Sequence, residues 1–262
     1  MRARLASLGS GSKGNATLVQ LGDQLILIDC GFSAKQIALR MARLDLAPGD
    51  ITALLVTHEH MDHARGVKTL AHRYNIPVYA THGTLKAMEF PLPAQRIASH
   101  GRFQLGEVTV VPVAVPHDAR EPTQFVFEHG GRRVGVLSDL GHVTPHVIEH
   151  YRACDLLMME SNHDPEMLRT GSYPPSLKRR VGGDLGHLSN KQAAELLAQV
   201  GNASVQVVIG HVSEQNNSAH HLQETFAELR QQVASLDIAD QADGIAWREL
   251  DGAPARDQTP AL

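Results

Sequence analysis

The segment Thr57-His58-Glu59-His60-Met61-Asp62-His63 sets three histidines and an aspartate within six positions. Nitrogen and carboxylate donors in this mixture suit zinc, manganese or iron. In an extended loop, residues two apart point to one side, so His58 and His60 could hold one ion together. A turn into a helix would then swing Asp62 and His63 toward a neighbouring position. The apolar run Ile51 to Thr57 reads as a buried strand, and the pattern Ala64 to Tyr74 as a helix. The donors therefore belong to a strand-to-helix loop. Sixteen histidines occur in the chain. His72, His82, His100, His129, His146, His150, His220 and His221 follow no pattern and read as surface or capping residues.

The elements that must carry this loop alternate along the chain. Arg4 to Ser7 is strand-like and runs into a glycine-serine loop, Gly9 to Asn15. Ala16 to Gln20 and Gln24 to Asp29 form a hairpin pattern around Gly22-Asp23. Ala34 to Leu44 is a helix with Ser33 as its N-cap. Pro77 to Ala80, Val108 to Val115, Gln124 to Glu128, Arg132 to Ser138, Leu156 to Glu160 and Val205 to Ile209 are the further strand candidates. Asn190 to Val200 has the strongest helix signature, with Ser189 and Gln192 forming a capping box and Gly201 ending it. Ala219 to Ala234 is the last helix expected. One domain over residues 1–250 is the simplest organisation, followed by a polar tail at 251–262.

Of the 262 residues, 42% are hydrophobic but only 4% aromatic, so aliphatic side chains must fill the core. The formal charge of −4 gives no global attraction for a polyanion, which leaves a local patch or a metal centre to supply it. Two cysteines are too few for a disulfide framework. No apolar run is long enough for a secretory leader or a membrane span. The expectation is a cytoplasmic protein with no membrane partner.

The Thr57–His63 segment resembles the H-x-H-x-D-H motif of the metallo-β-lactamase superfamily. That resemblance implies an α/β fold, a four-layer αββα sandwich with metals in a cleft at one sheet edge. It implies roles for further residues as well. Asp29, closing the strand Ile26-Leu27-Ile28, would orient the histidine loop rather than bind metal. His117, in Val115-Pro116-His117-Asp118, would join His58 and His60 on the first ion. His211, in Ile209-Gly210-His211, would join Asp62 and His63 on the second. Asp139, in Leu137-Ser138-Asp139, would bridge both. Two divalent ions, zinc or manganese with iron also suitable, would share a hydroxide that acts as the nucleophile.

Gly186-His187-Leu188-Ser189-Asn190 is similar to a segment of the superfamily's nucleases, where the histidine stands beside the scissile phosphate. His187 would then be general acid or transition-state stabiliser. Asp62, His187 and Asp29 are the residues to which catalytic roles are given. A broader similarity runs through Ser7–Ala16, Thr57–His63, Pro116–Ala119, Glu160–His163, Gly186–Asn190 and His211–Asn217. It is to the bacterial YycJ/WalJ-type proteins, linked to 5′→3′ exonuclease action on DNA. The implied partner is DNA, or RNA in second place. Lys13 in the glycine-serine loop and Lys178, Arg179 and Arg180 just before His187 are candidate phosphate contacts. The span from His142 to Gly186 is the room for a small lid. Two rival readings stand beside this one. They are a hydrolase of a small phosphodiester or thioester, and a low-turnover metal-binding partner protein in DNA repair or cell-wall signalling.

Overall fold

The structure, a computed structural model, describes residues 2–91 and 93–250. The tail expected at 251–262 lies outside the described residues. The first sheet contains β1 (Ala3–Gly9), β2 (Ala16–Leu21), β3 (Gln24–Ile28), β4 (Ala53–Leu55), β5 (Val78–Thr81) and β6 (Gln95–Ile97). The second contains β7 (Phe103–Leu105), β8 (Val108–Ala114), β9 (Thr123–His129), β10 (Arg132–Leu137), β11 (Leu156–Glu160), β12 (Gln206–Gly210) and β13 (Ser235–Ile238). The chain then returns, and β14 (Ile245–Glu249) pairs with β1 at the edge of the first sheet. The two orders are β14-β1-β2-β3-β4-β5-β6 and β13-β12-β11-β10-β9-β8-β7.

Each sheet is antiparallel in one half and parallel in the other. Strands β3 to β6 run parallel, and so do β10 to β13. The inner parallel strands β3, β4, β11 and β12 bury both faces and read as apolar runs. On β9 the period of two is visible. Phe125 and Phe127 enter the core between the sheets, while Val126 faces the outer layer.

Helices cover both outer faces. On the first sheet lie α1 (Ala34–Ala42), α2 (Met61–Ala64), α3 (Val67–Tyr74) and α4 (His82–Ala87). Over the second sheet and the cleft come α5 (Pro145–Tyr151), α6 (Pro165–Thr170), α7 (Pro175–Val181), α8 (Asn190–Val200) and α9 (Ala219–Thr225). Ile37, Met41 and Leu70 pack on Leu18, Leu27 and Leu54. Val147, Leu196 and Leu222 pack on Val126, Leu157 and Val207. Each fully buried Leu, Ile or Val contributes about 1.5–3 kcal/mol relative to exposure. The result is the expected four-layer sandwich with an aliphatic core.

Several boundaries differ from the sequence pattern. The helix expected over 64–74 starts earlier and breaks into α2 and α3. Gly66 lies against the Cys30–Phe32 loop, where a Cβ would sit 2.0 Å from the Phe32 oxygen. The Gly66 N–H donates to the Cys30 oxygen at 2.7 Å instead of continuing the ladder. The strand expected over 51–57 pairs only across β4. The helix expected over 219–234 ends at Thr225, followed by one 3₁₀ turn at Leu229–Gln231. Ser33 caps α1 by accepting from the Gln36 N–H, and Ser189 and Gln192 cap α8 reciprocally. No helix among the described residues is long and apolar enough to cross a membrane.

Candidate metal centre

The donors come from loops at the carboxyl ends of strands, where open α/β sheets place their ligands. Asp29 follows β3, His58 to His63 follow β4, His117 follows β8, Asp139 follows β10 and His211 follows β12. Asp29, Asp139 and His211 have left-handed backbones, with φ of 62°, 52° and 50°. A non-glycine residue stays there only when its surroundings over-determine it. The chain thus turns at the strand end, and the side chain is carried over the end of the sheet.

The structure brings His58, His60 and His117 together as one nest of donor atoms. His58 Nε2 and His117 Nε2 lie 3.0 and 3.3 Å from His60 Nδ1. Asp62, His63 and His211 form a second nest. His63 Nε2 is 3.4 Å from Asp62 Oδ2, and His211 Nε2 is 3.8 Å from the same oxygen. Asp139 stands between the nests. Its Oδ2 is 3.2 Å from His63 Nε2, and its Oδ1 is 4.0 Å from His117 Nε2 and 3.2 Å from His211 Nδ1.

Buried partners set which ring nitrogen faces the centre. His63 Nδ1 lies 2.7 Å from Asp29 Oδ2, and the same carboxylate accepts from the Thr57 N–H and hydroxyl at 2.8 Å each. With its proton given to Asp29, the Thr57 hydroxyl oxygen accepts from His58 Nδ1–H at 2.9 Å. His117 Nδ1–H donates to the Gly186 oxygen at 3.1 Å. All three rings therefore turn Nε2 inward, the arrangement that outer partners impose on ligating histidines. Asp29 touches Thr57 and His63 and acts through the loop. Two further clips come from the glycine-serine loop. Ser10 Oγ accepts from the His211 N–H at 2.8 Å, and Asn15 Nδ2 donates to Asp62 Oδ2 at 3.3 Å.

The electrostatics fit a cation. Burial and the neighbouring His63 push the His58 imidazolium well below its usual range, so the ring is a neutral ligand. Burial raises the Asp139 carboxyl, but His211 and His63 outweigh it and hold the group well below the carboxylate range. Asp139 Oδ2 and His211 Nδ1 are buried without a hydrogen-bond partner. Leaving such atoms unpaired costs about 1–3 kcal/mol each. Donors that converge without satisfying one another fit divalent ions.

The nests floor a cleft of about 250 Å³. His187 lines it, with Nδ1 3.2 Å from Glu160 Oε2 and 3.6 Å from Asp139 Oδ1. Sequence reasoning assigned no role to Glu160. It is fully buried, ends β11, and accepts from the Leu140 and Leu188 N–H groups at 3.0 Å. Burial raises its pKa, but the His187 and His211 rings facing it at 3.2 and 3.4 Å bring it down to about 2. The available signal was a charge closing the apolar run Leu156 to Met159. Asp118 was likewise unassigned; it lies 3.5 Å from His117 Nε2.

The four candidate phosphate contacts separate. Arg180 lines the cleft and bonds Asp118 Oδ2 at 2.6 Å. Lys178 donates to the Arg169 oxygen, Arg179 is exposed, and Lys13 pairs with Glu214 at 2.7 Å. None of these three lines the cleft. His163 is buried nearby, and Asp164 caps α6.

A four-layer sandwich with histidine and carboxylate nests at its strand ends defines a metal-dependent hydrolase. The beta-lactamase superfamily domain matches residues 24–211. The chain is 36% identical over 224 residues to exodeoxyribonuclease YycJ of Bacillus anthracis, which is 83% of this chain and 85% of that one. It is 33% identical over 256 residues to exodeoxyribonuclease WalJ of Streptococcus pneumoniae serotype 2 (strain D39), covering 94% and 93%. The metallo-beta-lactamase fold protein YhfI from Bacillus subtilis superposes with a TM-score of 0.71 over 95% of this chain and all of that one. At 15% identity that likeness concerns the fold alone. The chain belongs to the beta-lactamase superfamily and, within it, to the group that holds the YycJ and WalJ proteins.

Proposed function

We propose that this chain is a dinuclear metal-dependent phosphodiesterase that removes nucleotides from the 5′ end of DNA. The observation that carries the reading is the pair of donor nests sharing Asp139 on the floor of one cleft. His58, His60 and His117 would hold one ion, Asp62, His63 and His211 the other, with Asp139 between them. Divalent ions in such a pair supply Lewis acidity to a phosphate and bring the pKa of water toward 7.

The protein's own groups do the rest. His187 gives its Nδ1–H to Glu160, which leaves Nε2 to carry a proton into the cleft. The Glu160 carboxylate fixes the ring, so that His187 Nε2 faces the cleft and can protonate the departing oxygen as general acid. Asp29 and Thr57 hold the histidine loop in register. DNA as substrate, and attack from its 5′ end, are supported by the relatives named as exodeoxyribonucleases and by the motifs shared with that group. Two buried free cysteines support a reducing, cytoplasmic setting.

The test uses metal-loaded protein with end-labelled double-stranded DNA, single-stranded DNA and RNA, each with manganese or chelator. Metal-dependent shortening from the 5′ end of DNA, absent in Asp139→Asn, is the expected result. Cleavage of a small phosphodiester or thioester but of no polymer would replace this reading with the small-molecule hydrolase that the modest cleft volume also favours.

A further inference from the structure

The wall opposite the metal floor is built by the segment that leads into and forms α7. Tyr173, Leu177, Arg180 and Val181 line the cleft from that side. Leu177, Arg180 and Val181 are spaced three and four apart and so share one helix face. Aromatics are only 4% of the chain, yet among the described residues lining this cleft one is a tyrosine. The wall is pinned beside the floor. The Asp118 N–H donates to the Leu185 oxygen at 3.0 Å, and His142 Nδ1–H donates to the Asp184 oxygen at 2.8 Å. At Gly141 a Cβ would lie 2.2 Å from the Asp184 oxygen, so the two loops are in backbone contact.

Arg180 is the cation that reaches this space. Its partner Asp118 sits beside His60 and His117, and Arg180 keeps more than half of its side chain exposed. A half-exposed pair is weakly held, and a guanidinium binds phosphate oxygens as well as it binds a carboxylate. The cleft of about 250 Å³ lies near the lower end of the roughly 300–1,000 Å³ typical of small-ligand pockets. That is the scale of a single small ligand and not of a length of strand.

We propose that Tyr173, Leu177 and Arg180 form a subsite for a single terminal nucleotide, with Arg180 passing from Asp118 to the phosphate and the Tyr173 ring stacking on the base. This rests on the phosphodiesterase reading and adds to it. The wall selects a chain end, because only a terminal residue enters so small a space, and stacking makes the selection tolerant of base identity.

The experiment measures binding of thymidine 5′-monophosphate and of inorganic phosphate by calorimetry to the metal-loaded protein and to Tyr173→Ala, Tyr173→Phe and Arg180→Ala. The wild-type protein should prefer the nucleotide. Tyr173→Ala should weaken the nucleotide on the order of tenfold to a hundredfold, the range of base–aromatic stacking, and leave phosphate unchanged. Tyr173→Phe should keep the preference. Arg180→Ala should weaken both ligands by a similar factor. Nucleotide binding untouched in Tyr173→Ala, or phosphate binding untouched in Arg180→Ala, would overturn the subsite. A protein that cuts no polymer yet shows the expected binding pattern would refute the exonuclease reading and leave the nucleotide subsite standing.

Discussion

The floor and the wall of the cleft are built by opposite means. On the floor, His58, His63, His117, Asp139 and His211 are buried, and His63, His117 and His211 are each tied to a partner from a distant loop. Three of the strand-end residues hold strained left-handed backbones. On the wall, α7 has no buried residue, and Arg180 rests on one half-exposed ion pair. The floor is over-determined because donors for a cation must stand close together against their mutual repulsion. The wall has only to be near, so it can be light. Substitutions in the floor should therefore change metal content and turnover, while those in the wall should change affinity.

The largest effect expected is that of Asp139→Asn. Asparagine tolerates the left-handed backbone, so circular dichroism should show a folded protein. Turnover should fall on the order of a thousandfold or more, as when one member of a cooperating set is removed. Near-normal cleavage would remove Asp139 from the shared position and break the contrast at its centre.

Glu160→Gln sharpens it. The variant keeps an acceptor for the Leu140 and Leu188 N–H groups but puts an amide nitrogen in place of the oxygen that faces His187 Nδ1. Turnover should drop about 10–100-fold with metal content and KM unchanged. A change confined to KM would make Glu160 behave like a wall residue. Asn15→Ala takes away a clip on Asp62 and His63. Metal titration followed by elemental analysis should show one ion held about 10–100-fold more weakly and the other unaffected; equal weakening of both would contradict the two-nest reading.

Ser189→Ala removes the cap that starts α8 next to His187. The expected loss is about 1 kcal/mol, read as a fall of about 2–4 °C in Tm for a chain of this size. The smallest effect is at Cys30. Burial and the nearby Asp29 push its thiol up to about 12. A group raised this far stays protonated at every pH below that value, so the native protein at pH 8 should leave Cys30 unlabelled by an alkylating reagent. Rapid labelling would show that the loop behind Asp29 opens.

Legibility in the sequence followed distance along the chain. The His58–His63 motif was visible because its donors are contiguous, and the capping box of α8 because its reciprocal bonds span three residues. The fold class came from the family resemblance that the His58–His63 motif carries. Asp29, His117, Asp139 and His211 could be named only by resemblance, since each stands alone at a strand end. Glu160 was readable as a charge but not as the partner of His187, and Asp118 not as the partner of Arg180, because those partners come from other loops. Strands β13 and β14 were missed since pairing across the sheet, not local pattern, makes them strands.

By itself, then, the sequence determined the kind of chemistry, the aliphatic core and the periodic elements, all properties of residues near one another in the chain. Tertiary structure alone decided which nitrogen of each histidine faces inward, which of four cations reaches the cleft, and where the helix after the metal loop breaks. Those outcomes depend on close approaches between segments far apart in sequence, such as Gly66 against Phe32 and Gly141 against Asp184. Such approaches exist only once both sheets have closed on their common core.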